Sequence, residues 1–200
     1  MTADQDSATL ETVVPPRRRI PGEEGIWVFV LGDMVIFALF FGTFMYSRAT
    51  NPEVFAQDHG SLSTVLGTVN TVLLLTSSLL VVLGVQGVMS RAHRAAPRLF
   101  GAALLCGLGF IGVKAAEWSH LFAAGKSVGA GEYFSYYFMF TGIHLLHVVL
   151  GCAVLVKLIV DARRPTLSGQ QIMLCEAGGI FWHMVDLLWV VLFALFYLVR

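Results

Sequence analysis

Long apolar runs alternate with short polar ones along the chain. Five runs can each cross a bilayer, about 26–47, 62–89, 98–118, 133–160 and 172–199, since one helical crossing takes roughly 20 mostly apolar residues. None has the in-and-out alternation over about ten residues that a transmembrane β-strand needs. Helices, whose backbone groups are satisfied within the segment, are the consistent choice. The pattern therefore predicts an all-α membrane protein, a bundle of five transmembrane helices forming a single domain over 22–200. Residues 1–21, with Asp4, Asp6, Pro15, Pro16 and Arg17-Arg18-Arg19, read as a disordered polar tail. The first apolar run ends in Tyr46-Ser47-Arg48, without the small-residue cleavage site of a removable signal.

Composition narrows the function classes. Hydrophobic residues make up 56% and charged ones 13%, with mean hydropathy +0.75, against about 45–50% and about 25% in soluble domains. No soluble catalytic domain fits beside the spans. The 13 basic and 13 acidic residues cancel, which removes the electrostatic footing of nucleic-acid binding. Cys106, Cys152 and Cys175 lie inside apolar runs without CxxC spacing and read as small core residues. Glycines spread through the spans, among them Gly32, Gly42, Gly84, Gly107, Gly112 and Gly151, predict faces for close helix packing.

Charge also sets an expected orientation. Arg17, Arg18, Arg19, Arg91, Arg94, Arg98, Arg163 and Arg164 fall on one side of the spans, and Arg48, Lys126 and Arg200 on the other. The basic excess predicts a cytoplasmic N-terminus, and an odd number of crossings puts the C-terminus outside. Trp27 on one side, and Tyr46, Trp118, Tyr133 and Tyr197 on the other, read as an aromatic belt.

The ionisable residues inside the spans carry the remaining information, because each costs about 2.5–3.5 kcal/mol on insertion scales unless paired or used. Asp33 lies about two turns into the first span, and nothing on its own helix neutralises it. It reads either as a carboxylate facing a partner or proton path, or as a protonated contact between helices. Lys114 and Glu117 are spaced i, i+3 and read first as an interfacial ion pair whose lysine snorkels. His144 and His147 share one face near mid-membrane. They read first as neutral hydrogen-bonding groups and second as haem or copper ligands, with His183 the available third. Glu176, His183 and Asp186 fall within a sector of about 80°, a polar stripe flanked by Trp182 and Trp189 that reads as a packing network or a proton relay. Asn70, Thr71, Thr76, Ser77 and Ser78 add polar glue. No phosphate loop, nucleophile elbow or HExxH motif occurs.

Two of these runs carry a family resemblance. Phe181-Trp182-His183-Met184-Val185-Asp186-Leu187-Leu188-Trp189 resembles the WHFVDxxW signature of subunit III of the haem-copper oxidases, and Thr141-Gly142-Ile143-His144-Leu145-Leu146-His147-Val148 resembles its TGFHGLHV motif. Glu176 stands where the family has a glutamate, and Asn70-Thr71 followed by Ser77-Ser78 is similar to its helix bearing NT and SS. The stretch from Lys114 to His120 is similar to another that carries a family glutamate. The likeness runs from about residue 22 to the C-terminus. It is to the five-helix form, which lacks the first two of seven helices and with them part of a lipid-filled cleft, and Asp33 stands where many members have Glu.

The resemblance implies a non-catalytic accessory subunit of a cytochrome c oxidase-type, proton-translocating complex in the plasma membrane. Haem and copper would sit on partner subunits I and II and none on this chain, which would bind the catalytic subunit and phospholipid and support proton uptake. Asp33, Glu176, His183 and Asp186 would then be proton-supporting or subunit-contact residues, and His144, His147, Trp182, Trp189, Lys114 and Glu117 lipid or helix-packing residues. The opening Pro21-Gly22-Glu23-Glu24-Gly25-Ile26-Trp27 with Gly32-Asp33-Met34 also resembles short proteins associated with nitric oxide reductases, so an accessory subunit of that enzyme is the alternative. A small haem-binding or proton-coupled membrane protein is a more remote one.

Overall fold

The computed structural model describes residues 24–52, 62–90, 95–164 and 166–198. The described residues form five long helices, α1 Glu24–Thr50, α2 Thr64–Met89, α3 Ala96–Ala123, α4 Glu132–Ala162 and α5 Gly169–Phe193, the last running into a π-helical turn, Ala194–Leu198. All five are long and apolar enough to cross a membrane, as the sequence predicts. The expected tail 1–21, with its three arginines, and Arg91, Arg94 and Arg200 lie outside the described residues.

Successive helices run antiparallel, and α2 to α5 make the core. Glycine decides how closely they approach. A Cβ added at Gly84 of α2 would lie 2.5 Å from the Phe100 ring of α3, and one at Gly151 of α4 would lie 2.7 Å from the Trp182 indole of α5. At Gly107 it would meet Cys152 and Trp182 at 3.0 Å. Each glycine is thus the slot for a neighbour's ring. Between α2 and α3, Ser77 also donates to the Ala103 carbonyl at 2.9 Å.

α1 is attached differently. It lies against α4 and α5 through a row of phenylalanines: Phe29 meets Phe181, Phe40 stacks on Phe140 at 5.7 Å, and Phe44 meets Phe196 at 4.9 Å. Phe37 and Phe44 are each 1% exposed. Gly25, Gly32 and Gly42 have nothing within 4 Å of an added Cβ, as have Gly101 and Gly112. The expectation that small residues mark packing faces therefore holds for Gly84, Gly107 and Gly151 but not for Gly32, Gly42 or Gly112 within this chain.

At the end where α4 passes into α5, Asp161 gathers the connection. It accepts from Lys157 at 2.8 Å and from Gln171 at 3.2 Å, with Arg164 at 3.6 Å. Gln171 is at the same time the third residue of a capping box closed by Ser168. The sequence reading did not single out Asp161, although the i, i+4 lysine before it was the available signal.

Candidate functional site

A deeply buried polar assembly lies inside the bundle near the C-terminal end of α5. Lys114 is 0% exposed and Glu117 3%. The Lys114 Nζ donates to Glu117 Oε2 at 2.6 Å, to the Tyr197 hydroxyl at 3.0 Å and to the Tyr137 hydroxyl at 3.4 Å, so all three ammonium protons are engaged. The Tyr197 hydroxyl donates in turn to Glu117 Oε1 at 2.7 Å. The ammonium also lies 4.6 Å from the Trp189 ring centroid, within cation–π range. The π-helical turn brings Tyr197 to this position.

The expected i, i+3 pair is therefore present, but as a core element and not an interfacial one. Lys114 does not snorkel: partners from α3, α4 and α5 surround it. This also explains why α3 runs five residues beyond the expected end at 118, to Ala123, because a neutralised pair does not end a span. Two tyrosines leave the expected belt for the same interior. Tyr197 is 3% and Tyr133 2% exposed, and the Tyr133 hydroxyl donates to the Phe196 carbonyl at 3.2 Å.

The two histidines of α4 share a sector but face different neighbours. His144, fully buried, lies between Phe110 at 5.6 Å and Trp189 at 5.4 Å between ring centroids. His147 turns toward α1, its Nε2 lying 3.3 Å from Asp33 Oδ1 and its ring meeting Phe37 edge-on at 5.9 Å. Its Nδ1 lies 2.9 Å from the Ile143 carbonyl, which fixes that nitrogen as the donor. Asp33 thus finds on α4 the partner it lacks on its own helix. Among the described residues, no three His, Cys, Asp or Glu side chains gather as a metal centre would need.

The stripe on α5 faces α2. Ser78 Oγ and His183 Nδ1 are 2.5 Å apart, and Asp186, 8% exposed, lies against the same hydroxyl. One turn further on, the Trp189 indole donates to Thr71 at 3.1 Å. Glu176 is half-buried, while Trp182 is 1% exposed and fills the slot above Gly151. His183 and Asp186 therefore join two helices through one serine. Sequence reading placed Ser78 among the polar glue and in the family-like Ser77-Ser78 pair, without a partner on α5. Removing the join by His183→Ala or Asp186→Asn is expected to lower the chain's melting midpoint in mild detergent, because it unties α5 from α2. Variants that melt with the native chain would mean that the serine does not hold the two helices together.

A bundle of five helices, each long and apolar enough to cross a bilayer, is a multi-pass integral membrane protein. Residues 21–199 match the family described as cytochrome c oxidase subunit III. A haem-copper oxidase subunit I+III of Aeropyrum pernix is 31% identical over 182 residues, which cover 87% of this chain but only 22% of that longer protein. A cytochrome c oxidase subunit 3 of Alkalihalophilus pseudofirmus is 29% identical over 196 residues, 92% of this chain and 91% of that one. A cytochrome bo(3) ubiquinol oxidase subunit 3 of Pseudomonas aeruginosa is 31% identical over 177 residues, 87% and 83% of the two chains. The chain belongs to the cytochrome c oxidase subunit III family.

Proposed function

We propose that the chain is the non-catalytic subunit III of a respiratory haem-copper oxidase in the plasma membrane. It docks on the catalytic subunit I, with subunit II in the same complex, and haem and copper reside on those partners. The observation that carries this reading is the α5 signature in its folded place: His183 and Asp186 of the family run are spent on Ser78 between two helices, and Trp182 and Trp189 on packing. Ionisable residues held in this way suit a scaffold more than a redox centre. The names of the relatives, oxidase subunits of both cytochrome c and quinol types, support an oxidase as the partner enzyme.

Residues 22–200 act as one domain, with the N-terminus cytoplasmic and the C-terminus outside. The positive-inside excess supports that orientation. Asp33 and Glu176 complete the set of groups that sustain proton uptake or subunit contact. Phospholipid has a suitable groove between α1 and α4, about 660 Å³, with Leu39, Gly42 and Tyr136 along it and Ser47 hydrogen-bonded to Glu132 at its rim. An apolar floor under a polar rim matches an acyl chain below a headgroup.

The supporting role predicts a particular defect. Membranes lacking this chain should keep the haem spectrum and initial rate of the oxidase, and lose activity progressively during turnover. An oxidase as durable without the chain as with it would refute the proposal.

A further inference from the structure

Asn70 and His144 are both 0% exposed. Asn70 Nδ2 and Oδ1 and His144 Nδ1 and Nε2 all lack a hydrogen-bonding partner in the protein. The two side chains share one layer of the bundle. Ser77 of α2 meets Ala103 of α3, and a step of seven residues back along α2 and seven forward along the antiparallel α3 reaches Asn70 and Phe110. Phe110 lies 5.6 Å from the His144 ring and 4.7 Å from Trp189, and the indole of Trp189 is bonded to Thr71, the residue after Asn70.

Leaving such groups unbonded in an interior is destabilising, because each has given up its water without gaining another partner. What would satisfy them is constrained by their chemistry. A neutral imidazole offers one donor and one acceptor, and an amide offers two donors and an acceptor, so the occupant must both donate and accept. It must be small, because the layer is closed by the Phe110 and Trp189 rings. It must be neutral, because Lys114 and Glu117, on the far side of Trp189's contacts, already neutralise each other at 2.6 Å. A metal ion would need more ligands than an amide and one imidazole supply.

We propose that the interior of the bundle holds ordered water between Asn70 and His144, making this layer a hydrated site built from α2 and α4. The site is independent of which enzyme the chain joins.

The test uses the full chain purified from its native membranes in mild detergent. A high-resolution structure should contain solvent density about 2.7–3.2 Å from both the Asn70 amide and a His144 ring nitrogen. Asn70→Leu and His144→Phe should each lower the melting midpoint, by about 3–6 °C, and the double variant should fall no further than the worse single one, because either change evicts the same water. Direct contact between amide and imidazole, a dry layer, additive losses, or single variants that melt higher than the native chain would each overturn the proposal. If Asn70→Leu does not accumulate, the solvent density in the native chain decides alone.

Discussion

Glu117→Leu is expected to deplete the subunit from the membrane almost completely. The carboxylate accepts from Lys114 and from Tyr197 in a fully buried setting, so its loss leaves an ammonium with two phenols and an indole face but no counter-charge. Removing one partner of a buried pair destabilises by about 3–5 kcal/mol, comparable with the roughly 5–15 kcal/mol that holds a typical domain together. Lys114→Met should do similar harm from the other side, by stranding the carboxylate. The double variant Lys114→Met/Glu117→Leu is the informative one: with both charges gone and volume roughly kept, accumulation should recover well above either single variant. Quantifying the chain in membranes by immunoblot, with thermal unfolding of what remains, checks all three. If the double variant were as poor as the sum of the singles, the pair would be contributing more than mutual neutralisation.

Gly151→Ala and Gly84→Ala come second in expected size. Alanine is the better helix former by about 1 kcal/mol, yet at these sites its methyl would sit 2.7 Å from the Trp182 indole or 2.5 Å from the Phe100 ring. Both rings are buried and wedged between helices, so the backbone must move apart, at a cost of about 1–3 kcal/mol for an overpacked core. Gly112→Ala, where an added Cβ meets nothing within 4 Å, is the matched control. The expected order of melting midpoints puts Gly112→Ala at or above the native chain and both other variants several degrees below it. A Gly84→Ala chain as stable as the control would mean that α2 and α3 are not in close contact.

The spans were legible because continuous apolar length is a strong signal, and α2, α3, α4 and α5 begin within about three residues of where hydropathy places them. What hydropathy does not report is the depth of a charged residue. Lys114 and Glu117 lie near the edge of an apolar run, and one-dimensional reading sends such a pair to the interface. In three dimensions Tyr137 on α4 and Tyr197 beyond α5 enclose it, and those partners are about 23 and 83 residues distant in sequence. The same limit hid the Asp33 to His147 contact, made between α1 and α4. Motif spacing did better. The i, i+3 relations in Lys114/Glu117 and His183/Asp186 are read directly from helical geometry, whereas His144 and His147, at the same spacing, part to different neighbours: His144 turns to Phe110 of α3 and Trp189 of α5, His147 to Asp33 and Phe37 of α1. Ser78 was visible as polar glue and as part of the family-like Ser77-Ser78 pair, but only the packing of α2 on α5 shows what it bonds.

The central claim is that this chain is a supporting subunit of an oxidase and not a redox protein in its own right. Affinity purification from native membranes in mild detergent, read by mass spectrometry and by the visible spectrum of the eluate, tests it most directly. The account predicts a coloured eluate in which catalytic oxidase subunits co-purify with the chain and carry the haem absorbance. A colourless eluate with the chain alone, or haem retained by the chain after its partners are stripped away, would contradict it.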